Sequence, residues 1–193
     1  MNRHQITDYL IQLDTALHSA KLQTPIRIEI LGSSALAFYL DEDLEVGDVD
    51  ARWDPYDDMH LYPAIEAVSH VNHIPKKWLN NAIMFICDEP GKWQEPTTLD
   101  NIALYLPTPD YLMFKIAGAL KNRCTGEEAA AKKAIDQCKR FTQHMQWNLT
   151  TVIEKIKPFY PMGKIPLPTL DMLELCLLSK PRYIPSKEYE LGG

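Results

Sequence analysis

The sequence predicts an α/β fold with a small mixed-sheet lobe over residues 1–107, followed by a helical C-terminal lobe over residues 108–193. In the first half of the chain, short apolar runs typical of strands are interleaved with segments of helical spacing. In the second half, helical spacing alone is found. A chain of 193 residues with 46% hydrophobic and 24% charged residues suits a globular protein of one compact unit or two small lobes.

The elements of the first lobe follow from apolar spacing and from turn residues. Pro25 introduces the alternating run Ile26–Ile30, and Ser33 or Ser34 can cap the helix that follows. The continuous apolar run Ile83–Cys87 is typical of a buried strand. In chain order, we predict a helix over 7–20, a strand over 26–30, a helix over 35–40, a strand over 46–53, a helix over 62–70 and strands over 83–87 and 101–106.

The second lobe begins at a helix-start signal, Thr108-Pro109-Asp110. The threonine can cap, the proline suits the first turn and the aspartate complements the helix dipole. We therefore place the boundary between the lobes near Pro107. The predicted helices cover 111–122, 127–144, 149–157 and 170–179.

The net charge of −6 argues against a protein that coats DNA, but the charges are unevenly distributed. Between Asp41 and Asp58 there are nine acidic residues and one base, whereas Lys115 to Arg140 holds seven bases and three acids. An acidic metal-binding region facing a basic helical lobe would suit a nucleotide or an RNA end. An alternative explanation for most of these charges is that they lie on protein surfaces that face water.

The chain shows no feature of a membrane or secreted protein. No apolar stretch is long enough to span a bilayer, and the N-terminal segment is polar and amphipathic. The four cysteines have no Cys-x-x-Cys spacing, which favours reduced and mostly buried thiols. We therefore expect a cytoplasmic protein without membrane contact.

Two short motifs around one predicted helix suggest a phosphate-handling site. Gly32, Ser33 and Ser34 follow an apolar strand, and a small-residue turn into a helix leaves backbone N–H groups available to a phosphate. Asp48 and Asp50 stand two positions apart on the next strand, so their side chains point to the same face. Such a pair is a ligand set for Mg²⁺ (or Mn²⁺), which prefers carboxylate and phosphate oxygens.

These motifs resemble the nucleotidyltransferase superfamily, which has the polymerase-beta-like fold. Gly32, Ser33 and Ala35 match its turn, and Asp48-Val49-Asp50 matches its Asp-x-Asp strand. The likeness is greatest to the bacterial toxin and abortive-infection branch and to related nucleotidyltransferase-like proteins. The resemblance implies a small α/β lobe that carries the metal site and a helical lobe that closes over the nucleotide.

The resemblance also implies catalytic and metal-binding roles. Asp48 and Asp50 would hold the metal ion, and a third carboxylate from a later strand would help to activate the attacking hydroxyl. Asp100, at the start of the predicted strand 101–106, is our first candidate for that carboxylate. Asp88 and Glu89, at the end of the preceding predicted strand, are alternatives.

The nucleotide itself would be bound by the turn and by a lysine. Gly32, Ser33 and Ser34 would hold phosphates through backbone N–H groups and hydroxyls, although a capped helix without ligand explains the serines equally well. Lys115 loosely matches the lysine of a second signature of the toxin branch, and its charge could reach a triphosphate. It could equally extend along the apolar helix face to solvent.

The leading functional hypothesis is therefore a Mg²⁺-dependent transfer of a nucleoside monophosphate from an NTP to an RNA end, a protein hydroxyl or a small molecule. The toxin-like resemblance further implies an antitoxin as partner. The alternative is a degenerate member that binds nucleotide or a partner without transfer. Leu44 and Val46 favour this alternative, since they occupy the positions where the toxin branch typically carries arginine and threonine.

Overall fold

The computed structural model describes residues 1–40, 44–81, 92–124 and 128–178 of the chain. It divides the chain into two compact units, Met1–Ile116 and Ala117–Gly193. The described residues form seven α-helices and a five-stranded mixed sheet, so the predicted α/β class is confirmed. The helices are α1 (Arg3–Leu17), α2 (Gly32–Tyr39), α3 (Asp58–Asn72), α4 (Pro109–Cys124), α5 (Glu128–His144), α6 (Leu149–Ile156) and α7 (Leu167–Leu177).

The sheet belongs to the first unit and has the strand order β3-β2-β1-β5-β4. Its strands are β1 (Ile26–Ile30), β2 (Val49–Arg52), β3 (Leu79–Asn81), β4 (Thr97–Thr98) and β5 (Ile102–Tyr105). The central strand β1 is antiparallel to β2 and parallel to β5. Outside these pairs, β3 runs parallel to β2 and β4 runs antiparallel to β5.

The two faces of β1 and β2 differ in polarity, as expected where side chains alternate along a strand. The apolar face contributes side chains that are at most 1% exposed: Ile28, Ile30, Val49 and Ala51. The opposite face, which we call the polar face, carries Arg27, Glu29, Asp50 and Arg52. The candidate site described below is built on this polar face.

The core of the first unit includes an aromatic residue just before β3. Trp78 is fully buried, and its indole N–H donates to the backbone carbonyl of Ile65 in α3 at 3.2 Å. The ring of Tyr9 in α1 meets it edge-on, with 5.5 Å between centroids. Trp78 therefore joins the packed pair α1 and α3 to the start of β3.

A buried carboxylate connects α1 to the start of β5. Oδ1 of Asp14, which is 9% exposed, accepts hydrogen bonds from the backbone N–H groups of Asn101 at 2.7 Å and Ile102 at 3.0 Å. The side-chain amide of Asn101 donates in return to the backbone carbonyl of Asp14 at 2.9 Å. The backbone N–H groups of Asn101 and Ile102, at the start of β5, therefore have a hydrogen-bond acceptor within the protein.

Replacing Asp14 by alanine is expected to lower the free energy of unfolding by about 1.5–3 kcal/mol, because buried N–H groups would lose a charged acceptor. Urea denaturation measures the change. Asp8→Ala is the matched control, since Asp8 lies on the same helix with its side chain 54% exposed. Equal stabilities of the two variants would contradict the structural role of Asp14.

The second unit contains α5, α6 and α7. Phe141 is fully buried in α5, and Trp147 meets it edge-on at 5.9 Å. Cys138 in α5 and Cys176 in α7 are buried free thiols, as the sequence predicted for these two cysteines. The hydrogen bond with Cys176, followed by burial, raises the pKa of the Cys138 thiol. Cys138 therefore stays protonated at neutral pH.

The predicted elements agree with the structure where local signals are strong and depart from it elsewhere. The strand over 26–30 has the predicted limits, whereas α2 and α3 begin before the predicted positions 35 and 62. Strands β3 and β4 were not predicted. The predicted strand over 83–87 lies outside the described residues. The division between the units falls inside α4, after Ile116, whereas the predicted lobe boundary was near Pro107.

Among the described helices, none combines the length and the apolar character required to cross a membrane. The longest of them, α5, has 17 residues and includes several lysines. This agrees with the predicted lack of a spanning segment.

Candidate functional site

The candidate site is formed where β1 passes through a tight turn into α2. The backbone N–H of Leu31 still donates to the carbonyl of Asp50 at 2.8 Å, so the turn begins beside β2. Gly32 then adopts a φ of +59°, a left-handed conformation that favours glycine. A Cβ atom at Gly32 would lie 3.0 Å from Oδ2 of Asp50. The glycine therefore allows the carboxylate of Asp50 to approach the first turn of α2.

Substituting Gly32 by alanine is expected to destabilise the fold by about 1 kcal/mol or more, because the new side chain meets both an unfavourable φ and the Asp50 carboxylate. The matched control is Gly118→Ala in α4, where an added Cβ meets nothing within 4 Å. Alanine at a helical glycine is expected to stabilise. Thermal unfolding of both variants checks this, and a Gly32 variant as stable as the wild type would contradict it.

Ser34 fixes the strand that carries the two aspartates. This serine is 1% exposed, and its hydroxyl donates to the backbone carbonyl of Asp48 at 3.0 Å. The same oxygen accepts the backbone N–H of Asp50 at 3.2 Å. Its position supports a structural role between α2 and β2. Ser33, by contrast, is half-buried in the first turn of α2, and the neighbouring Gly32 is exposed.

Asp48 and Asp50 lie on the same face of the sheet. Asp48 immediately precedes β2 and is exposed, whereas Asp50 lies within β2 and is half-buried, with the buried Val49 between them. Asn80, the register partner of Asp50 on β3, donates its side-chain amide to Oδ2 of Asp48 at 3.1 Å. This hydrogen bond orients the Asp48 carboxylate on the polar face.

This pair suits a cation that completes its coordination with other oxygens. Mg²⁺ is commonly bound by one or two carboxylates together with substrate phosphates and water, and Asp48 and Asp50 supply the carboxylates. Within residues 1–40, 44–81, 92–124 and 128–178, there is no group of three or more His, Cys, Asp or Glu side chains arranged to hold a metal ion.

The structure does not bring Asp100 together with the aspartate pair. Asp100 is exposed just before β5, and Ile102 of β5 pairs with Ile26 at the first residue of β1. Asp50 lies beside Leu31, past the other end of β1. At about 3.3 Å per residue, a strand of five residues separates the two ends of the sheet by more than 13 Å. The alternative carboxylates at 88 and 89 lie outside the described residues.

Lys115 belongs to a group of cations gathered around aromatic rings in the first unit. Its Nζ lies 5.5 Å from the ring centroid of Tyr111, and Nζ of the buried Lys92 lies 5.1 Å from the same ring. Trp93 meets Tyr111 at 6.0 Å, and the guanidinium of Arg52 lies 5.9 Å from the Trp93 ring. Burial, and then the charges of Lys92 and Arg52, lower the pKa of Lys115.

Apart from Lys115, the members of this cation group were not predicted from the sequence. Arg52 could have been found, because it stands two positions after Asp50 and so shares its face of the strand. Lys92 follows the predicted strand over 83–87, and no motif singles it out; only the folded chain brings it to Tyr111. An assembly of positive charge on the first unit is suited to an anionic ligand.

Glu29 is the buried carboxylate of the polar face. Its side chain is 2% exposed and forms ion pairs with Arg27, at 2.6 Å from Nη2, and with Nε of Arg52. The Arg27 guanidinium also lies 4.3 Å from the ring centroid of Tyr105. Two guanidinium groups therefore satisfy the Glu29 carboxylate, which makes it a support for the two arginines.

A cleft of about 730 Å³ opens beside these ion pairs, and we call it the Arg27 cleft. It lies at the end of β2 that is remote from Gly32. Its lining comprises residues 22–27 and 52–57 together with Glu29, His60 and Asn81. Burial, followed by the charge of Asp54, raises the pKa of Asp57 in the cleft wall.

Comparisons of this chain with protein-family profiles, with curated proteins and with solved structures found no match. The proposals below therefore depend on the geometry of the polar face and on the motif resemblance.

Proposed function

We propose that the protein is a Mg²⁺-dependent nucleotidyltransferase that moves a nucleoside monophosphate from an NTP to an RNA end, a protein hydroxyl or a small molecule. The observation that carries the proposal is the approach of the Asp50 carboxylate to the Gly32 turn. In this proposal, the N–H groups at the turn bind phosphate and the neighbouring carboxylates bind the cation, at one end of the sheet. The motif resemblance to the nucleotidyltransferase superfamily supports the same activity.

In this proposal, Asp48 and Asp50 hold the cation, which offsets negative charge on the phosphates of the nucleotide. The backbone N–H groups of Gly32 and Ser33 contact the terminal phosphates at the start of α2. Lys115 adds a positive charge for the triphosphate. These residues bind and orient the NTP, so the α-phosphorus faces the acceptor.

The reaction is an in-line displacement. The acceptor oxygen forms a bond to the α-phosphorus, and the bond between that phosphorus and the bridging oxygen of pyrophosphate breaks. Pyrophosphate leaves with the electron pair, and the acceptor proton passes to solvent. The contribution of this chain is to position the reacting groups and to neutralise their charge.

One observation favours a second candidate, a protein that binds nucleotide or a partner without transferring the nucleotide. The residue opposite Asp50 on the neighbouring strand β3 is Asn80, whose amide cannot accept a proton as a carboxylate does. Asp100, the first candidate for a third carboxylate, stands at the other end of the sheet. Among the described residues, no third carboxylate joins Asp48 and Asp50.

Incubation of the purified chain with each α-labelled NTP and Mg²⁺ tests the two candidates. Total RNA, cell protein and small hydroxyl compounds serve as acceptors, and equilibrium dialysis measures NTP binding in parallel. Transfer of label to any acceptor supports the enzyme. Binding without transfer supports the second candidate. Lack of NTP binding in the presence of Mg²⁺ contradicts the enzyme and also the nucleotide-binding form of the second candidate.

A toxin function is the finer part of the proposal, and it is tested in cells. Expression of the chain is expected to arrest growth if it modifies an RNA or a protein of its host, and an antitoxin partner would relieve that arrest. An Asp50→Asn variant expressed at the same level is the control. Equal growth inhibition by both proteins would contradict arrest through nucleotide transfer.

A further inference from the structure

We propose that Cys138 and Cys176 form a redox modification site, at which a hydroperoxide converts the two thiols into a reversible disulfide between α5 and α7. The site lies within the second unit and does not depend on nucleotide transfer. The contact between the thiols, their unequal exposure and their positions on two helices lead to this assignment.

The two thiols already meet in the reduced protein. Cys138 in α5 and Cys176 in α7 are both buried and free, and a side-chain hydrogen bond joins them. The two helices pack against each other. Cysteines can be bridged without a backbone rearrangement only where their side chains point towards each other at short range. The hydrogen bond between the two thiols requires the same arrangement.

The two thiols differ in exposure and in acidity. Cys138 is fully buried, whereas Cys176 is 3% exposed and is the residue before the last in α7. The hydrogen bond with Cys138 lowers the pKa of Cys176; burial opposes this effect, and the charge of Lys139 adds to it. The thiolate is the reactive form of cysteine. Cys176 is therefore the sulfur that attacks the oxidant, and Cys138, which keeps its proton, is the resolving thiol.

The end of α7 gives the oxidant its access to Cys176. Leu175 in the last turn and Leu178 directly after the helix are both exposed. The ends of helices open locally at a lower cost in free energy than a packed core does. A small uncharged molecule such as hydrogen peroxide would reach the sulfur through such an opening, whereas a bulky oxidant would be kept out.

The reaction takes place in two steps. The Cys176 thiolate attacks one oxygen of the peroxide, the O–O bond breaks, and the departing hydroxide takes up a proton to give water. Cys176 is thereby oxidised to a sulfenic acid and the peroxide is reduced. The sulfur of Cys138 then attacks the sulfenic sulfur, the S–O bond breaks, and a second water leaves with the proton of Cys138.

The new bond would fix α7 to α5. It joins positions 138 and 176 and so closes a loop that contains α6 and the 3-10 turns Lys157–Phe159 and Pro161–Gly163. A cross-link between such distant positions restricts the unfolded chain. We expect the oxidised protein to melt at least about 5 °C above the reduced protein. In a reducing compartment such bonds are usually transient and typical of redox sensing.

Peptide mapping of the full wild-type chain tests the proposal. The native protein is treated with hydrogen peroxide at the dose that oxidises free glutathione in a parallel sample. The remaining thiols are blocked with N-ethylmaleimide, and the protein is digested without reductant. We expect mass spectrometry to find the peptides of Cys138 and Cys176 linked, with the loss of two hydrogen atoms, and dithiothreitol to separate them.

Variants distinguish this pair from the other two cysteines of the chain, Cys87 and Cys124. Cys87→Ser, Cys124→Ser retains only the proposed pair and should form the bond and show the rise in melting temperature. Cys138→Ala should stop at the sulfenic acid of Cys176, which dimedone traps, without that rise. Each variant is compared with itself before and after peroxide, so an effect of the substitution on folding cancels.

Three results would overturn the proposal. The first is oxidation of Cys176 to a sulfinic acid while Cys138 remains a free thiol. The second is a disulfide that involves Cys87 or Cys124 in place of this pair. The third is the survival of both thiols in the wild-type chain at the dose that oxidises glutathione. NTP binding and transfer are measured on the reduced protein, so the proposed function is tested separately.

Discussion

The double substitution Asp48→Asn, Asp50→Asn is expected to abolish the stabilisation of the protein by Mg²⁺ and to reduce nucleotide transfer at least about a hundredfold. A cation that binds only the folded state raises the melting temperature of the protein. The two carboxylates supply the negative charge that binds this cation. The loss of transfer should appear in kcat, since the neutralised charge grows in the transition state. Thermal scans with and without Mg²⁺ and single-turnover assays measure the two effects.

Asp100→Asn is the matched control for this experiment. It removes a carboxylate of the same unit that lies at the other end of the sheet, so the Mg²⁺ response and the transfer rate should stay at wild-type values. A Mg²⁺ response retained in the double variant would place the cation elsewhere. A loss of transfer in the Asp100 variant would restore that residue as the third carboxylate.

Replacing Glu29 by glutamine is expected to lower the free energy of unfolding by about 3–5 kcal/mol, because two guanidinium groups would lose their buried counter-charge. The Glu29 side chain is 2% exposed and that of Arg52 is 16% exposed, so water compensates little of the loss. Chemical denaturation measures the change. The second arginine, Arg27, has its side chain 47% exposed and can turn to solvent. We therefore expect a loss of unfolding free energy towards the lower end of this range.

Glu66→Gln is the control for the Glu29 variant. Its ion pair with Lys76 joins two exposed side chains, so no measurable change in stability is expected. A Glu29 variant that unfolds at the wild-type denaturant concentration would contradict the supporting role assigned to this carboxylate. It would also remove the reason for regarding the two arginines of the cleft as already paired.

The local part of the site could be predicted from the sequence. Pro25 and the alternating run after it define β1, and glycine at position 32 marks the turn into α2. The spacing of Asp48 and Asp50 places both carboxylates on one face. Each of these signals acts through the backbone of neighbouring residues, which is why residue type and spacing suffice.

The non-local part of the site depends on strand order and register. Asp100 was the first candidate for a third carboxylate because it precedes a strand, but the parallel pairing of β1 with β5 places it at the end of the sheet remote from Gly32. Asn80 lies opposite Asp50 only because β3 pairs with β2 in one register. Neither pairing leaves a pattern in the sequence, since β3 and β5 each have four residues or fewer.

The pairing of β1 with β5 also sets the order in which the first unit can fold during synthesis. Ile26 leaves the ribosome long before Ile102, its partner in the ladder. Until β5 has been made, one edge of β1 has no native neighbour, and the α1 carboxylate at Asp14 has no backbone to bind. A chain that is stopped before residue 100 should therefore remain incompletely folded and prone to aggregation, however well its first helices form.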